Sequence, residues 1–169
     1  MSESPSKLIP ALYGGIVIGL VSSIPYLNFV NCLCCAGVLL GGFLSVFFYT
    51  RDLTPDMPPL SSGDALQLGA LAGVFGAVIS SVIFTVMFEL IGGSDFMYEM
   101  ETYSDQLPPE MFELVQSLVE SGVVFLVIMM AASIIIDTLF GLLGGLIGYA
   151  VFKPKPTMTN VQPPMDSTV

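Results

Sequence analysis

Histidine and tryptophan are absent from this sequence of 169 residues, and only four residues are basic: Lys7, Arg51, Lys153 and Lys155. Each absence narrows function. Without histidine, the commonest general base and metal ligand is missing, which lowers the prospects of hydrolase and metalloenzyme chemistry. Against fourteen acids the four cations leave a net charge of −10. There is thus no basic surface to neutralise phosphates, and nucleic acid is excluded as a partner. Charge of either sign is scarce, at 11% of residues against about 25% in a typical soluble domain. No positioned base, metal set or phosphate loop occurs, so no enzyme activity and no cofactor are expected.

What remains is apolar. A helix needs roughly 20 apolar residues to cross the hydrocarbon core of a bilayer. No charge falls between Lys7 and Arg51, a run long enough for two crossings, with "PYLNFVN" (25–31) supplying the breakers between them. The expected fold is all-α. It is a polytopic membrane protein of four antiparallel transmembrane helices, at 8–26, 29–49, 65–91 and, with an unclear start near 122, up to 152. A seven-residue tail precedes them, residues 50–64 form a linker, and 92–121 form an acidic segment between the third and fourth helices. The alternative for the first segment is a cleaved signal peptide. No A-x-A-like site follows it, and Asn31 precedes Cys32 where a lipoprotein signal carries a small residue, so it reads as an uncleaved span.

All four basic residues lie in the two tails or the 50–64 linker. With four spans those three segments share one side, and the positive-inside rule places both termini in the cytoplasm and 92–121 outside.

Small residues pattern the spans. Helix one carries G-x-x-x-G at Gly15/Gly19 and helix three at Gly69/Gly73, each followed by a serine pair. Helices two and four each carry a double glycine with a small residue three positions on, at Gly42/Ser45 and Gly145/Gly148. The chain therefore reads as two tandem hairpins of parallel orientation. In lipid, small residues let backbones approach where no hydrophobic force brings helices together. Buried helix faces are expected at Gly15, Gly19, Gly41, Gly42, Gly69, Gly73, Gly76, Gly144, Gly145 and Gly148. A thinned substrate path or a homo-oligomer contact is the functional alternative.

Asp137 is the carboxylate inside the last apolar run, sixteen residues before Lys153. Ser22 and Ser23, Cys34 and Cys35, and Ser80 and Ser81 lie at similar counts from their own charged ends. At about 1.5 Å per residue, all four helices bring a polar or thiol group to one level, roughly 24 Å from the cytoplasmic boundary. Asp137 is expected to face inward, toward the serines, Thr85 and Thr138, and to be protonated or bound to a cation. Intramembrane acids serve proton relays and ion sites. The alternatives are a neutral carboxyl that hydrogen-bonds as packing glue, or one near headgroups if the helix protrudes.

Cys32 and Cys35 fall on one helical face with Cys34 turned away. Three thiols without histidine make a poor zinc site and read as small buried hydrophobes, with a disulfide between subunits as the alternative. In the acidic segment, a helix is expected from Pro109, with Glu110 and Glu113 at its positive end. Met111, Leu114, Val115, Leu118 and Val119 form its apolar stripe, which packs over its own bundle or docks a partner. Anionic lipid would repel it, and the acids do not match a calcium loop. The Pro-rich tail from Lys153 lacks periodicity and is expected to be disordered or extended.

The run "IPYLNFVNCLCCAGVLLGG" (24–42) resembles a pattern in small prokaryotic membrane proteins of no assigned activity. There a Gly-rich first span is followed by Pro, Asn, clustered Cys and a double Gly. The resemblance implies four spans in a prokaryotic cytoplasmic membrane and carries over no catalytic residue. Two functions stand open. One is a structural or accessory subunit that packs against other membrane-protein subunits or its own copies. The other is a small oligomeric proton- or cation-linked transporter or channel using Asp137. A membrane enzyme with a cysteine nucleophile is the weakest third.

Overall fold

A computed structural model describes residues 5–23, 35–91, 98, 102 and 108–153. Five helices and no strand occur among them: α1 (Leu8–Ser23), α2 (Ala36–Arg51), α3 (Ser62–Ile91), α4 (Pro109–Glu120) and α5 (Val123–Phe152). The expected turn at 25–31, Cys32, Cys34, most of 92–107 and the tail beyond Lys153 lie outside the described residues.

Two helices are long and apolar enough to cross a membrane, Ser62–Met87 within α3 and all of α5. The other two apolar helices have 16 residues each, about 24 Å of rise against a core of roughly 30 Å. Four helices of full spanning length were expected, and two reach it among the described residues. The difference in α2 has a local cause. Cys35, at its N-cap, has φ 55° and ψ 36°, left-handed geometry that an L-residue adopts at a steric cost and that interrupts a helix.

The four apolar helices form a square in which α1 and α5 occupy opposite corners and α3 packs most extensively on α5 and α1. Contacts between α3 and α5 descend along one as they ascend along the other: Ala65 meets Gly145, Gly69 meets Gly141 and Gly73 meets Asp137. Those two helices are therefore antiparallel, as are α1 and α2, where Gly14 meets Ser45 and Ile18 meets Gly41. By the same reading α1 runs parallel to α3, since Gly15 meets Ala72 and Gly19 meets Ile79.

The starts of α1 and α3 and the ends of α2 and α5 consequently meet at one charged end. There Lys7 Nζ lies 2.6 Å from Asp64 Oδ1 and donates to Gln67 Oε1 at 2.6 Å. Asp64 also closes a reciprocal cap. Its N–H donates to Ser61 Oγ at 3.1 Å, and the Ser61 N–H donates to Asp64 Oδ2 at 3.1 Å, the capping-box arrangement that satisfies donors at a helix start. Leu60, from the linker, joins Ala11, Val46, Tyr49, Ala65 and Leu68 in a buried cluster over this end. A second cluster, deeper in the bundle, unites Ile18, Val38 and Ala72, with Cys35 and Phe140 packed on it.

At the other end, α4 begins with Pro109 in its first turn, where the missing N–H costs nothing. Gly122, at φ 54° and ψ −83°, separates it from α5, a conformation that glycine adopts readily. The unclear start of the last helix is thereby placed at Val123.

Candidate functional site

The interior is built from backbone rather than from large side chains. All ten glycines expected on buried faces are buried. Gly14 and Gly141 are buried too, and they contribute as much. A Cβ added at Gly69 would strike the Gly141 carbonyl, one at Gly141 would strike the Gly69 carbonyl, and one at Gly73 would strike the carbonyl of Asp137. On the α2-facing edge of the same face, Gly144 abuts the Leu39 carbonyl and Gly148 abuts Val46. One stripe of α5, running Asp137, Gly141, Gly144/Gly145, Gly148, thus fits between α2 and α3.

The paired motifs do not pack equivalently. Gly15 and Gly19 of α1 face α3, whereas Gly69 and Gly73 of α3 face α5. Gly41 meets α1 and Gly42 meets α5, while Gly144 meets α2 and Gly145 meets α3. Spacing made the small faces legible. Which neighbour each face meets depends on crossing geometry that spacing does not encode.

Asp137 is 8% exposed. Among the described residues no hydrogen-bond donor and no cation touches its carboxyl. The next residue repeats the anomaly, for Thr138 Oγ1 is buried without a hydrogen-bond partner. Both residues flank Gly73, whose backbone lies against the Asp137 carbonyl and the Thr138 Cα.

The other residues of the anticipated polar level sit elsewhere. Ser80 and Ser81 are seven and eight residues past Gly73 on α3, about 10 Å further along the axis. Three of the hydroxyls that were to face Asp137 bond to their own helices instead. Ser23 donates to the Gly19 carbonyl at 2.6 Å, Ser80 to the Ala77 carbonyl at 3.1 Å and Thr85 to the Ser81 carbonyl at 2.8 Å. Ser22 is half-buried on α1. Cys35 packs by the Ile18 cluster, and Cys34 lies outside the described residues. Ser45, fully buried, is satisfied by the Gly42 carbonyl at 2.7 Å. Against this background of self-satisfied hydroxyls, Asp137 and Thr138 stand apart.

Two further surfaces bear on function. Helix α4 buries none of its residues and barely touches α5. Met111 and Leu114 are exposed, and Val115 and Leu118 are half-buried. At the charged end an open cleft of about 340 Å³ is lined by Pro10, Tyr13, Phe48, Arg51 and Asp52. The Arg51 guanidinium lies 5.6 Å from the Phe47 ring centroid, within cation–π reach. The sequence reading missed this cleft, because it depends on how α1 and α2 meet at Tyr13 and Phe48, whose ring centroids lie 5.4 Å apart. No protein-family model, curated protein or solved structure matches the chain.

Proposed function

We propose that this chain is a non-enzymatic integral membrane protein that crosses the bilayer four times. In this reading it serves as an accessory subunit, packing against a larger membrane complex or against its own copies. The observation that carries it is the inverted distribution of side chains. Glycine backbones fill the inside, while Leu12, Ile16, Leu20, Leu40, Leu139, Leu143 and Ile147 point outward and stay exposed. Isolated exposed aliphatics are ordinary in soluble proteins. Apolar faces on α1, α2 and α5 together call for an apolar surround. Helices α1 and α2 share their charged end with α3 and α5, so a bilayer that takes the long pair takes the short pair with it.

The proposed orientation follows the cations. Lys7, Arg51 and Lys153 mark the cytoplasmic face of a prokaryotic cytoplasmic membrane, and 92–121 lie outside. The exposed α4 face, with Met111, Leu114, Val115 and Leu118, is the proposed docking surface for a neighbouring subunit. Native mass spectrometry after gentle extraction tests the accessory reading. Co-isolation with other chains at fixed stoichiometry, or a defined homo-oligomer, is expected. A monomer carrying lipid alone would contradict it.

A second reading, a small oligomeric proton- or cation-linked transporter or channel, is favoured by one observation. Asp137 is buried in the bundle without a partner among the described residues.

A further inference from the structure

We propose that the cleft between α1 and α2 seats the headgroup of a zwitterionic phospholipid with a primary ammonium, phosphatidylethanolamine. The lipid phosphate meets the Arg51 guanidinium, and its ammonium meets the Asp52 carboxylate. Such a site rests on the membrane reading above, which puts this end of the bundle at the cytoplasmic boundary. It is independent of the accessory-subunit reading.

The cleft brings side chains of both charges to one space of about 340 Å³, with Arg51 and Asp52 both lining it and both exposed. Lys7, at the same end of the bundle, is held by Asp64 and Gln67, each at 2.6 Å. Arg51 lies instead over the Phe47 ring, which supplies no lone-pair acceptor for the guanidinium fork. Tyr13 and Phe48 form the wall of the cleft, their ring centroids 5.4 Å apart, and tyrosine suits the headgroup level of a bilayer. From that wall an apolar stripe leads away. Tyr13, Ile16 and Leu20 follow at three- and four-residue steps along α1, which places them on one helix face, and all three are exposed. Because α1 starts at the charged end, the stripe descends from the cleft into the bilayer and offers a track for the acyl chain.

The charge pattern selects the headgroup. A guanidinium matches phosphate oxygens with two parallel N–H bonds. The Asp52 carboxylate only accepts, and a primary ammonium brings it three N–H donors where a trimethylated ammonium brings none. Phosphatidylglycerol carries the phosphate charge with no cation to offset Asp52. Aromatic rings attract a choline group through their faces, but Tyr13 and Phe48 are packed on each other rather than opened into a cage. Free phosphate has no chain to lay along Ile16 and Leu20.

The test is lipid retention, read by native mass spectrometry of the full chain. The chain is released from micelles doped with equal amounts of phosphatidylethanolamine, phosphatidylcholine and phosphatidylglycerol of matched acyl chains. The wild type is expected to retain phosphatidylethanolamine about threefold over either other lipid, the scale of one exposed ion pair. Arg51→Gln is expected to lose that preference. Asp52→Asn is expected to turn it toward phosphatidylglycerol, because Arg51 then meets a negative headgroup without a competing carboxylate. Lys153→Gln, which removes an exposed cation at the same end but outside the cleft lining, keeps the wild-type order. Equal retention of the three lipids by the wild type, or of none, would overturn the proposal. So would a phosphatidylethanolamine preference that survives unchanged in either cleft variant, since the lipid would then sit elsewhere. Bilayer crossing is read separately by thiol labelling in vesicles, so the site and the membrane reading can fail independently.

Discussion

Gly141→Ala lowers the stability of the bundle by about 1–3 kcal/mol, the range for forcing a methyl into a packed core. The added Cβ points at the Gly69 carbonyl and lies 3.2 Å from the Gly73 amide nitrogen. Neither neighbour is the movable end of a side chain, so the helices themselves must separate. Separation would open the Gly145–Ala65 and Gly73–Asp137 approaches together, because all three lie on one crossing. Within lipid this loss falls on van der Waals contact between backbones, the main attraction available there. Gly63→Ala is the control. A Cβ at that position meets only Ser61 Oγ, at 3.7 Å, and alanine is the better helix former. Its stability is expected to stay level or to rise slightly. Equilibrium unfolding of the two variants side by side reads the difference, and equal behaviour would mean that α3 and α5 are not in backbone contact.

Ile18→Ala is expected to cost about 2 kcal/mol or more, for the complementary reason. Ile18 is completely buried, a single large side chain inserted between two glycines. A Cβ at Gly41 would run into its Cγ1 and one at Gly76 into its Cγ2. This one residue therefore joins three helices, α1, α2 and α3. Gly76→Ala alone is destabilising because its methyl competes with Ile18 for the same space. Combined with Ile18→Ala, the new methyl occupies part of the vacated volume. The double variant is accordingly expected to be more stable than the sum of the singles by over about 0.5 kcal/mol. Additive behaviour would show that Ile18 does not fill the Gly76 hollow.

These two predictions mark how far the sequence could be read. Gly-x-x-x-Gly spacing puts two hydrogens on one helix face, so the buried stripes were legible at Gly15/Gly19 and Gly69/Gly73. Gly14 lies one step outside its motif and is buried by how α1 rolls on its neighbours, whereas Gly141 was legible and passed over, since Gly141/Gly145 is itself Gly-x-x-x-Gly spacing. The helix after Pro109 was legible because it depends on local chemistry. The level assigned to Asp137 rested on counting residues from charged ends, which treats four helices as parallel rods of equal rise. Crossing helices depart from that, and Asp137 lies against Gly73, short of the serine pair on the same helix. Left-handed Cys35 carries no signal in its residue type, since cysteine has no preference for that conformation, and the length of α2 follows from it.

The central claim is that the two 16-residue helices cross the bilayer beside the long pair. The most direct measurement is labelling with a membrane-impermeant thiol reagent in right-side-out vesicles, before and after permeabilisation. The chain would carry Cys32, Cys34 and Cys35 replaced by alanine, with single cysteines introduced at Ser6, Asn28, Asp56 or Ser121. Four crossings predict that positions 28 and 121 react in intact vesicles, while 6 and 56 react only after permeabilisation. Protection of position 28 together with 6 and 56, with 121 still reactive, would contradict the account. The short helices would then stay on the cytoplasmic side, and α3 and α5 alone would span the membrane.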